Sequence, residues 1–393
     1  MNRLKFINKK AIDFCDDVRD GTHDSPKHLE SGKLLITSKN IKNGYVDLKN
    51  ASYISEEDFN KINKRSKVNR NDILYSMIGT VGLVHRVDVE PDYAIKNIGL
   101  FKIKNELKSK WLYYYLNTPD IINSVNSKLN GSTQKFISLD NLRNLDIKYP
   151  ENEQDAKRII KILETIDLKM KLNNQINNNL YELMLNNFIN FLERNKNSEI
   201  VKLEDCVEKI NTGADAIQKA PIVDYNTGIK CIRIGDMTNG RDYHSWGFTK
   251  MTDKDFENYK LIRNDIVITR TAVNGLTYMI TDEENTVCNN GNIRLRVNNK
   301  YNPLYIYLNT KTKDFRNYID RINSETSVRP NMKVEYFTNY LIKKIDLNKQ
   351  NEFCNKAETI MKKIQNNKKE SYNVEQLRGM LLPKLMNGEI DLD

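Results

Sequence analysis

The chain has 393 residues and a formal net charge of +10, with 62 Lys and Arg against 52 Asp and Glu. Mean hydropathy is −0.65, and no run approaches the ~18 apolar residues of a membrane span, so an integral helical membrane protein is excluded and two ordinary domains with their own cores are expected. Five scattered cysteines, never in a CxxC pair, and only four histidines argue against a disulfide scaffold or a zinc site and for a reducing cytoplasm.

Met1–Phe14 is broken by Asn2, Arg3, Lys5, Asn8, Lys9 and Lys10, and it lacks the apolar centre of a signal peptide. A Gly/Asp-rich turn follows, Asp20-Gly21-Thr22-His23-Asp24, then an apolar strand Leu34-Leu35-Ile36 leading into Asn40-Ile41-Lys42-Asn43-Gly44. Arg70-Asn71-Asp72-Ile73-Leu74 reads as a turn into a strand. Gly82-Leu83, a short amphipathic helix at Leu112–Thr118, a polar loop Gly131-Ser132-Thr133-Gln134-Lys135 and a strand Leu145-Asp146-Ile147 complete this first segment.

From Glu151 to Arg194 there is no proline or glycine, and Ala156, Ile159, Leu163, Ile166 and Met170, then Ile176, Leu180, Leu183 and Phe188, recur at helical spacing. Asn152 is the expected N-cap, and Glu151, Glu153 and Asp155 suit the positive end of the helix dipole. At ~1.5 Å per residue such a helix is on the order of 60 Å long and needs support along its length. Asn173, Asn174, Asn177 and Asn178 interrupt its apolar seam, a pattern that fixes register or partner orientation.

The order then repeats. Asn211-Thr212-Gly213-Ala214-Asp215 matches the first turn, and Cys231-Ile232-Arg233-Ile234 leading to Asp236–Gly240 matches the first strand. Arg263-Asn264-Asp265-Ile266-Val267 and Gly275-Leu276 match at a shift of 193, Leu304–Thr310 matches the tyrosine helix, Ser324–Arg329 its loop and Leu341-Ile342 the last strand. A second proline-free, glycine-free stretch, Asn348–Arg378, follows, and Leu180, Met184, Leu185 and Phe188 become Leu377, Leu381, Leu382 and Leu385.

Residues 151–194 hold seven acids and six bases and 348–393 seven acids and eight bases, so the whole positive excess lies in 1–150 and 195–347. Two basic domains on two neutral helices point to a polyanion. If the helices pack antiparallel, the domains form a pseudo-twofold object that suits two separated half-sites on duplex DNA.

With these motifs the chain resembles the specificity subunits of type I restriction–modification systems. The resemblance covers essentially the whole chain and rests on the tandem repeat together with Tyr149-Pro150-Glu151-Asn152-Glu153-Gln154 at the helix opening and Leu381-Leu382-Pro383-Lys384-Leu385-Met386-Asn387-Gly388-Glu389-Ile390 at the end. Asp20-Gly21-Thr22-His23 and Gly131–Lys135 are similar to stretches of the family's recognition domains, whereas the second helix opening, Asp346-Leu347-Asn348-Lys349-Gln350, lacks the proline and the Glu-Gln pair. The resemblance implies a non-catalytic subunit that selects a bipartite duplex site, one half per domain, with a spacer set by the helices. It implies two adenine-N6 methyltransferase (modification) subunits as partners, joined by a restriction subunit, with S-adenosylmethionine and ATP bound by those subunits and no cofactor or metal here.

The expected fold is therefore α/β (α+β): target-recognition domains in tandem, each with a mostly antiparallel sheet, separated by two long helices packed as an antiparallel coiled coil. The boundaries are 1–150 for the first recognition domain, 151–196 for the central helix, 197–347 for the second recognition domain and 348–393 for the last helix. Candidate DNA contacts are the polar loops taken as a set: Thr22, His23, Asp24, Ser38, Lys39, Asn40, Gln134 and Lys135 in the first copy, and Arg233, Asp236, Arg270, Thr271, Asn274, Arg329 and Asn331 in the second. The tyrosines at 113, 115, 305 and 307 are assigned to the core.

Two catalytic readings are weaker. Asn302-Pro303-Leu304-Tyr305 resembles an amino-methyltransferase clamp but lacks its second proline and lies in the repeated helix. Pro91-Asp92 with Glu106-Leu107-Lys108 has the spacing of a metal-dependent nuclease, which the second copy does not reproduce. An autonomous DNA-binding scaffold and a DNA-modifying enzyme are the alternatives to a specificity subunit.

Overall fold

The computed structural model describes residues 4–42, 44–131, 135–325 and 331–390. They form two compact units, Met1–Leu172 with Lys369–Asp393, and Asn173–Lys368. The division falls within the two long helices, at the asparagine break, rather than at their ends. Among the described residues no helix is long and apolar enough to cross a membrane.

In the first unit a four-stranded antiparallel sheet has the spatial order Asp17–Asp20, Ile98–Lys102, Ile73–Ser76, Val84–Arg86. In the second the order is Val207–Thr212, Asn292–Val297, Ile266–Thr269, Thr277–Met279, again antiparallel throughout. Each unit adds a smaller sheet containing one parallel pair, Lys33–Thr37 beside Tyr93–Lys96 and Lys230–Ile232 beside Thr286–Cys288. Each also closes with an antiparallel pair, Phe6–Lys10 with Asp146–Pro150 and Ile200–Lys202 with Leu341–Lys343. The repeat read from the sequence is thus a repeat of topology.

The matched Arg-Asn-Asp-Ile motifs do the same work twice. Asn71 and Asn264 take left-handed backbone, with φ of 71° and 72°, a conformation asparagine tolerates better than most residues. Asp72 accepts from the Asn69 and Ile103 amides and pairs with Lys102 on the adjacent strand. Asp265 accepts from the Ile262 amide and takes Arg296 in a bidentate pair at 2.7 and 2.8 Å.

The first long helix is Glu153–Arg194 and the second Leu347–Asn387. Asn152 accepts from the Gln154 amide at 2.9 Å, as a capping residue should, and Asp346 accepts from the Asn348 and Lys349 amides at the start of the second helix. The second helix runs on through Gly379 and Pro383, past the proline-free and glycine-free stretch and inside the 348–393 boundary read from the sequence.

Both cores draw on both helices. The first packs Ala156, Ile159 and Leu163 near one helix's start with Leu382, Leu385 and Met386 near the other's end, around Trp111 and Tyr149. The second packs Met184 and Phe188 with Cys354 and Ala357, around Tyr305 and Phe337. In each unit the beginning of one helix meets the end of the other, so the pair is antiparallel. Within the second unit the seam turns polar: Asn173 donates to the Asn367 carbonyl at 3.3 Å, and Asn367 donates to Asn177 Oδ1 at 2.9 Å, all three buried. Buried amides satisfied only in one alignment fix register.

The tyrosine helices are Glu106–Leu116 and Pro303–Asn309. They are sunk into the cores rather than half exposed: Tyr115, Tyr305 and Tyr307 are buried and Tyr113 is half-buried.

His85, half-buried on the strand Val84–Arg86, gives a test of the packing. Burial depresses its pKa below the ordinary 6.5, against a 3.3 Å contact of Nδ1 with the Gly44 carbonyl. The unfolded chain therefore takes up this proton first. Its contribution to stability is complete above pH ~6.5 and is lost as pH falls from there toward the folded pKa. Thermal melts between pH 8 and 5 should show this loss, and His85→Gln should flatten that part of the profile.

Candidate nucleic-acid interface

Strand order decides where the polar loops meet. Asp20 pairs with Gly99 and Ile98 with Ser76, so the chain leaves Asp17–Asp20, enters Ile98–Lys102 and leaves Ile73–Ser76 at one end of the sheet. Thr212 pairs with Ile293 and Thr269 with Asn292, which gathers the corresponding loops at the same end of the second sheet.

Backbone hydrogen bonds knit each set together. The Gly21 amide donates to the Ile98 carbonyl, Thr22 to Ile95, and Asn97 returns to Thr22. In the second unit Gly213 donates to Asn292, Ala214 to Cys288, and Asn290 returns to Ala214. Ile78 bridges to Phe136 and Thr271 to Asn331, which brings the loops after the tyrosine helices to the same place. The turn following Ser76 or Thr269 is also duplicated. Gly82 and Gly275 have φ of 97° and 78° and donate to the Ser76 and Thr269 carbonyls, while Leu83 and Leu276 donate to the hydroxyls of those residues. Gly79 and Ala272 share one position of this turn, at φ of 78° and 59°. Left-handed backbone costs an alanine about 1–2 kcal/mol, and strain of this kind gathers at functional loops.

Most candidates read from the sequence lie at this end. Thr22 is half-buried, and His23 and Asp24 are exposed. His23 Nε2 is 2.8 Å from Asp20 Oδ2 and its Nδ1 2.8 Å from Asn97 Oδ1, and Asp20 also holds Arg65. Ser38 donates to the Asn97 carbonyl at 3.0 Å, with Lys39 exposed beside it. The exposed Lys135 accepts from the Gly79 amide through its carbonyl. In the second unit Arg270 and Thr271 are half-buried and Asn331 exposed. Arg233 is half-buried, with Nη1 3.1 Å from the Cys231 carbonyl. Its neighbour Ile234 packs against Gly291, whose added Cβ would lie 2.6 Å from Ile234 Cδ1 and 3.1 Å from Thr271 Oγ1, so Arg233 is near this end. Gln134 and Arg329 lie outside the described residues.

Three candidates face inward and leave the set. Asn40 and Asp236 are buried at matching positions, where each returns its side chain to the start of a short helical turn. Asn40 Oδ1 accepts from Thr37 N at 2.9 Å, and Asp236 Oδ2 from Arg233 N at 2.9 Å. Their sequence match reflects capping. Asn274 is buried and donates to Asn323 Oδ1 at 2.8 Å.

One pair is missed by the sequence motifs. Asn97 contacts His23, and at the equivalent place Asn290 donates to Asp215 Oδ2 at 3.3 Å. Asn97 and Asn290 are separated by 193, the shift of the Arg-Asn-Asp-Ile and Gly-Leu matches, which is the signal that would have found them. The scaffold is the same and its exposed partner differs, imidazole in one unit and carboxylate in the other. The Gln218 and Ile217 amides hold Asp215 below the usual carboxylate range, so it is an acceptor suited to a cytosine amino group. The residues of the two catalytic patterns have other partners in the structure. Asp92 pairs with Lys33 and Glu106 with Lys110. Asn302 caps the second tyrosine helix, with Tyr305 buried within it.

The chain is similar to known proteins in sequence and in fold. Residues 24–182 match the family described as type I restriction modification DNA specificity domain. The type I restriction enzyme EcoBI specificity subunit of Escherichia coli is 26% identical over 168 residues, 42% of this chain and 33% of that protein, so the match spans about a third of the relative's length. The solved S subunit of the type I restriction–modification system from M. genitalium superposes with a TM-score of 0.55 at 16% identity, over 98% of this chain and 97% of that one. Residues 24–182 are therefore similar to the type I restriction modification DNA specificity domain, within a chain that shares the fold of the S subunit from M. genitalium.

Proposed function

We propose that this chain is the sequence-recognition subunit of a type I restriction–modification complex. It binds a bipartite duplex site, each domain reading one half with the loops at its sheet end. The observation that carries this reading is the duplicated loop scaffold with unlike side chains, His23–Asn97 in one unit and Asp215–Asn290 in the other. A shared frame with different donors and acceptors is what two half-sites of different sequence require. The chain performs no chemistry of its own; adenine-N6 methyltransferase subunits, and a restriction subunit with them, supply it.

The first long helix offers those methyltransferase subunits a docking face. Leu168 and Leu172, on its part within the first unit, are 53% and 44% exposed and, four residues apart, fall on one side of the helix.

Co-expression with the methyltransferase subunit of a type I system, followed by adenine-methylation mapping, tests the reading. A bipartite methylated motif that needs both proteins is the expected result. Leu168→Glu combined with Leu172→Glu should abolish co-purification while leaving the melting profile nearly unchanged, because both side chains already face solvent. A chain that binds DNA but neither captures the methyltransferase nor yields a motif would be an autonomous DNA-binding scaffold, and the proposal would fall.

A further inference from the structure

The two sheet ends differ most at one residue. Arg270 follows the strand Ile266–Thr269, which is paired on both sides. Its counterpart at the shift of 193 is Met77, which is buried. The second unit therefore places a guanidinium where the first places a thioether.

The backbone of Arg270 is held at both ends, its amide donating to the Gly291 carbonyl at 3.0 Å and its carbonyl accepting from the Met332 amide at 2.7 Å. Its side chain is held as well. Nε donates to the Met332 carbonyl at 3.0 Å, and Nη1 reaches toward the Asn290 carbonyl at 3.5 Å. These partners are neutral. Several arginines of this unit have carboxylate partners, among them Arg263 with Asp282, Arg296 with Asp265 and Arg316 with Asp320, whereas Arg233 and Arg294 share the neutral setting of Arg270. Carbonyl oxygens orient the guanidinium of Arg270 without cancelling its charge. With Nε taken by Met332 and one Nη1 hydrogen directed at Asn290, Nη2 and the second hydrogen of Nη1 are the donors left to the guanidinium.

We infer that Arg270 reads a guanine in the half-site of the second domain, its Nη1–Nη2 edge meeting the O6 and N7 acceptors in the major groove. This rests on the proposed role in duplex recognition. The surroundings supply the groups that read base edges: Thr271, Asn290 and Asn331, which share this end of the sheet, offer a hydroxyl and amides beside the guanidinium, with Arg233 near the same end. The guanidinium is also fixed before binding, so little side-chain freedom remains to be lost on contact. Met77 has no such donor, so the first half-site lacks this contact and the two halves of the motif differ.

The test uses the full chain in complex with methyltransferase subunits, comparing wild type with Arg270→Gln and Arg270→Lys by methylation mapping and by binding to duplexes substituted one base pair at a time. One guanine position in one half-site should relax in both variants, with discrimination there falling about 10- to 100-fold. The other half-site should keep its sequence, and the salt dependence of binding should be unchanged. Lysine is the informative variant, since it keeps a charge for a phosphate but loses the bidentate fork. Uniformly weaker binding to all sequences in the glutamine variant, with the salt slope reduced by about one and the lysine variant normal, would make Arg270 a phosphate contact and overturn the inference. An unchanged motif in both variants, with unchanged affinity, would overturn it as well. A wild-type complex with no sequence preference would instead refute the recognition role on which the inference rests. Thermal melts of each variant separate misfolding from lost contact, and the retained first half-site is the internal control.

Discussion

Asp265→Ala is expected to destabilise the second unit by about 3–5 kcal/mol, the usual effect of removing one member of a buried, hydrogen-bonded ion pair. The Asp265 side chain is fully buried and Arg296 is 24% exposed. Truncation would leave a largely buried guanidinium with its two bonds to this carboxylate lost, and the Ile262 amide without its acceptor at 2.9 Å. The damage would reach the candidate interface, because Asp265 sits at the far end of the strand that delivers Arg270. The equivalent change in the first unit, Asp72→Ala, should cost less. Lys102 keeps the Lys67 carbonyl as a partner when the carboxylate is removed, whereas the planar fork of Arg296 loses both of its bonds to Asp265. Burial also raises the Asp72 pKa against the opposing pull of Lys102, so part of the ion pair's gain there is already cancelled. Denaturant titration of both variants checks the order. Arg296→Met in the Asp265→Ala background should recover part of the loss, since it removes the unpaired charge. Equal, small effects at the two sites would show that the matched motif is not a buried clamp.

How much of this was legible in the sequence depended on the range of the interaction. The Arg-Asn-Asp-Ile motifs, the Gly-Leu turns and the Asn152 cap are local devices, and their residue types identify them. The order of strands is not local. That Asp17–Asp20 lies beside Ile98–Lys102 follows from pairing across some eighty positions, so the meeting of Thr22 with Lys96 and Asn97 was invisible. The buried candidates show a second limit. Asn40 and Asp236 recur in both copies and look functional, yet each satisfies a backbone amide. A recurring polar residue near a strand end serves capping as readily as binding, and only burial separates the two. Asn97 and Asn290 fail in the opposite sense, since each is one asparagine among many in this chain and sits in no apolar pattern. The tyrosine helices read as amphipathic with their tyrosines in the core, and Tyr115, Tyr305 and Tyr307 are buried there, while the burial of their other faces depends on distant segments that local sequence does not reveal.

Gly213→Ala is expected to cost the second unit roughly 3 kcal/mol, at the upper end of what overpacking usually costs, and to abolish reading of one half-site. The need for glycine here is spatial, since Gly213 is not among the glycines with positive φ. An added Cβ would lie 2.2 Å from the Cys288 carbonyl oxygen and 2.4 Å from that of Asn289. Neither can retreat cheaply, because Cys288 ends a buried strand paired with Lys230–Ile232 and accepts from the Ala214 amide at 2.8 Å. Relief requires the Gly213–Asp215 loop to lift away, which breaks that bond and the return from the Asn290 amide to the Ala214 carbonyl at 2.7 Å. The pairing of Asp215 with Asn290 would go with it. Gly21 meets the Ile95 carbonyl oxygen at 2.5 Å in the same way, so Gly21→Ala should damage the other half-site. Gly235 is the internal control, lying on the short helix Ile234–Thr238 with nothing within 4 Å of its Cβ position. There alanine should be neutral or slightly stabilising, because it restricts the unfolded chain. Melting curves and methylation motifs of the three variants decide the matter. A Gly213→Ala protein as stable as Gly235→Ala, with both half-sites intact, would show that the loop does not depend on this close approach. Loss of one half-site in Gly213→Ala and of the other in Gly21→Ala would assign each half of the motif to its domain.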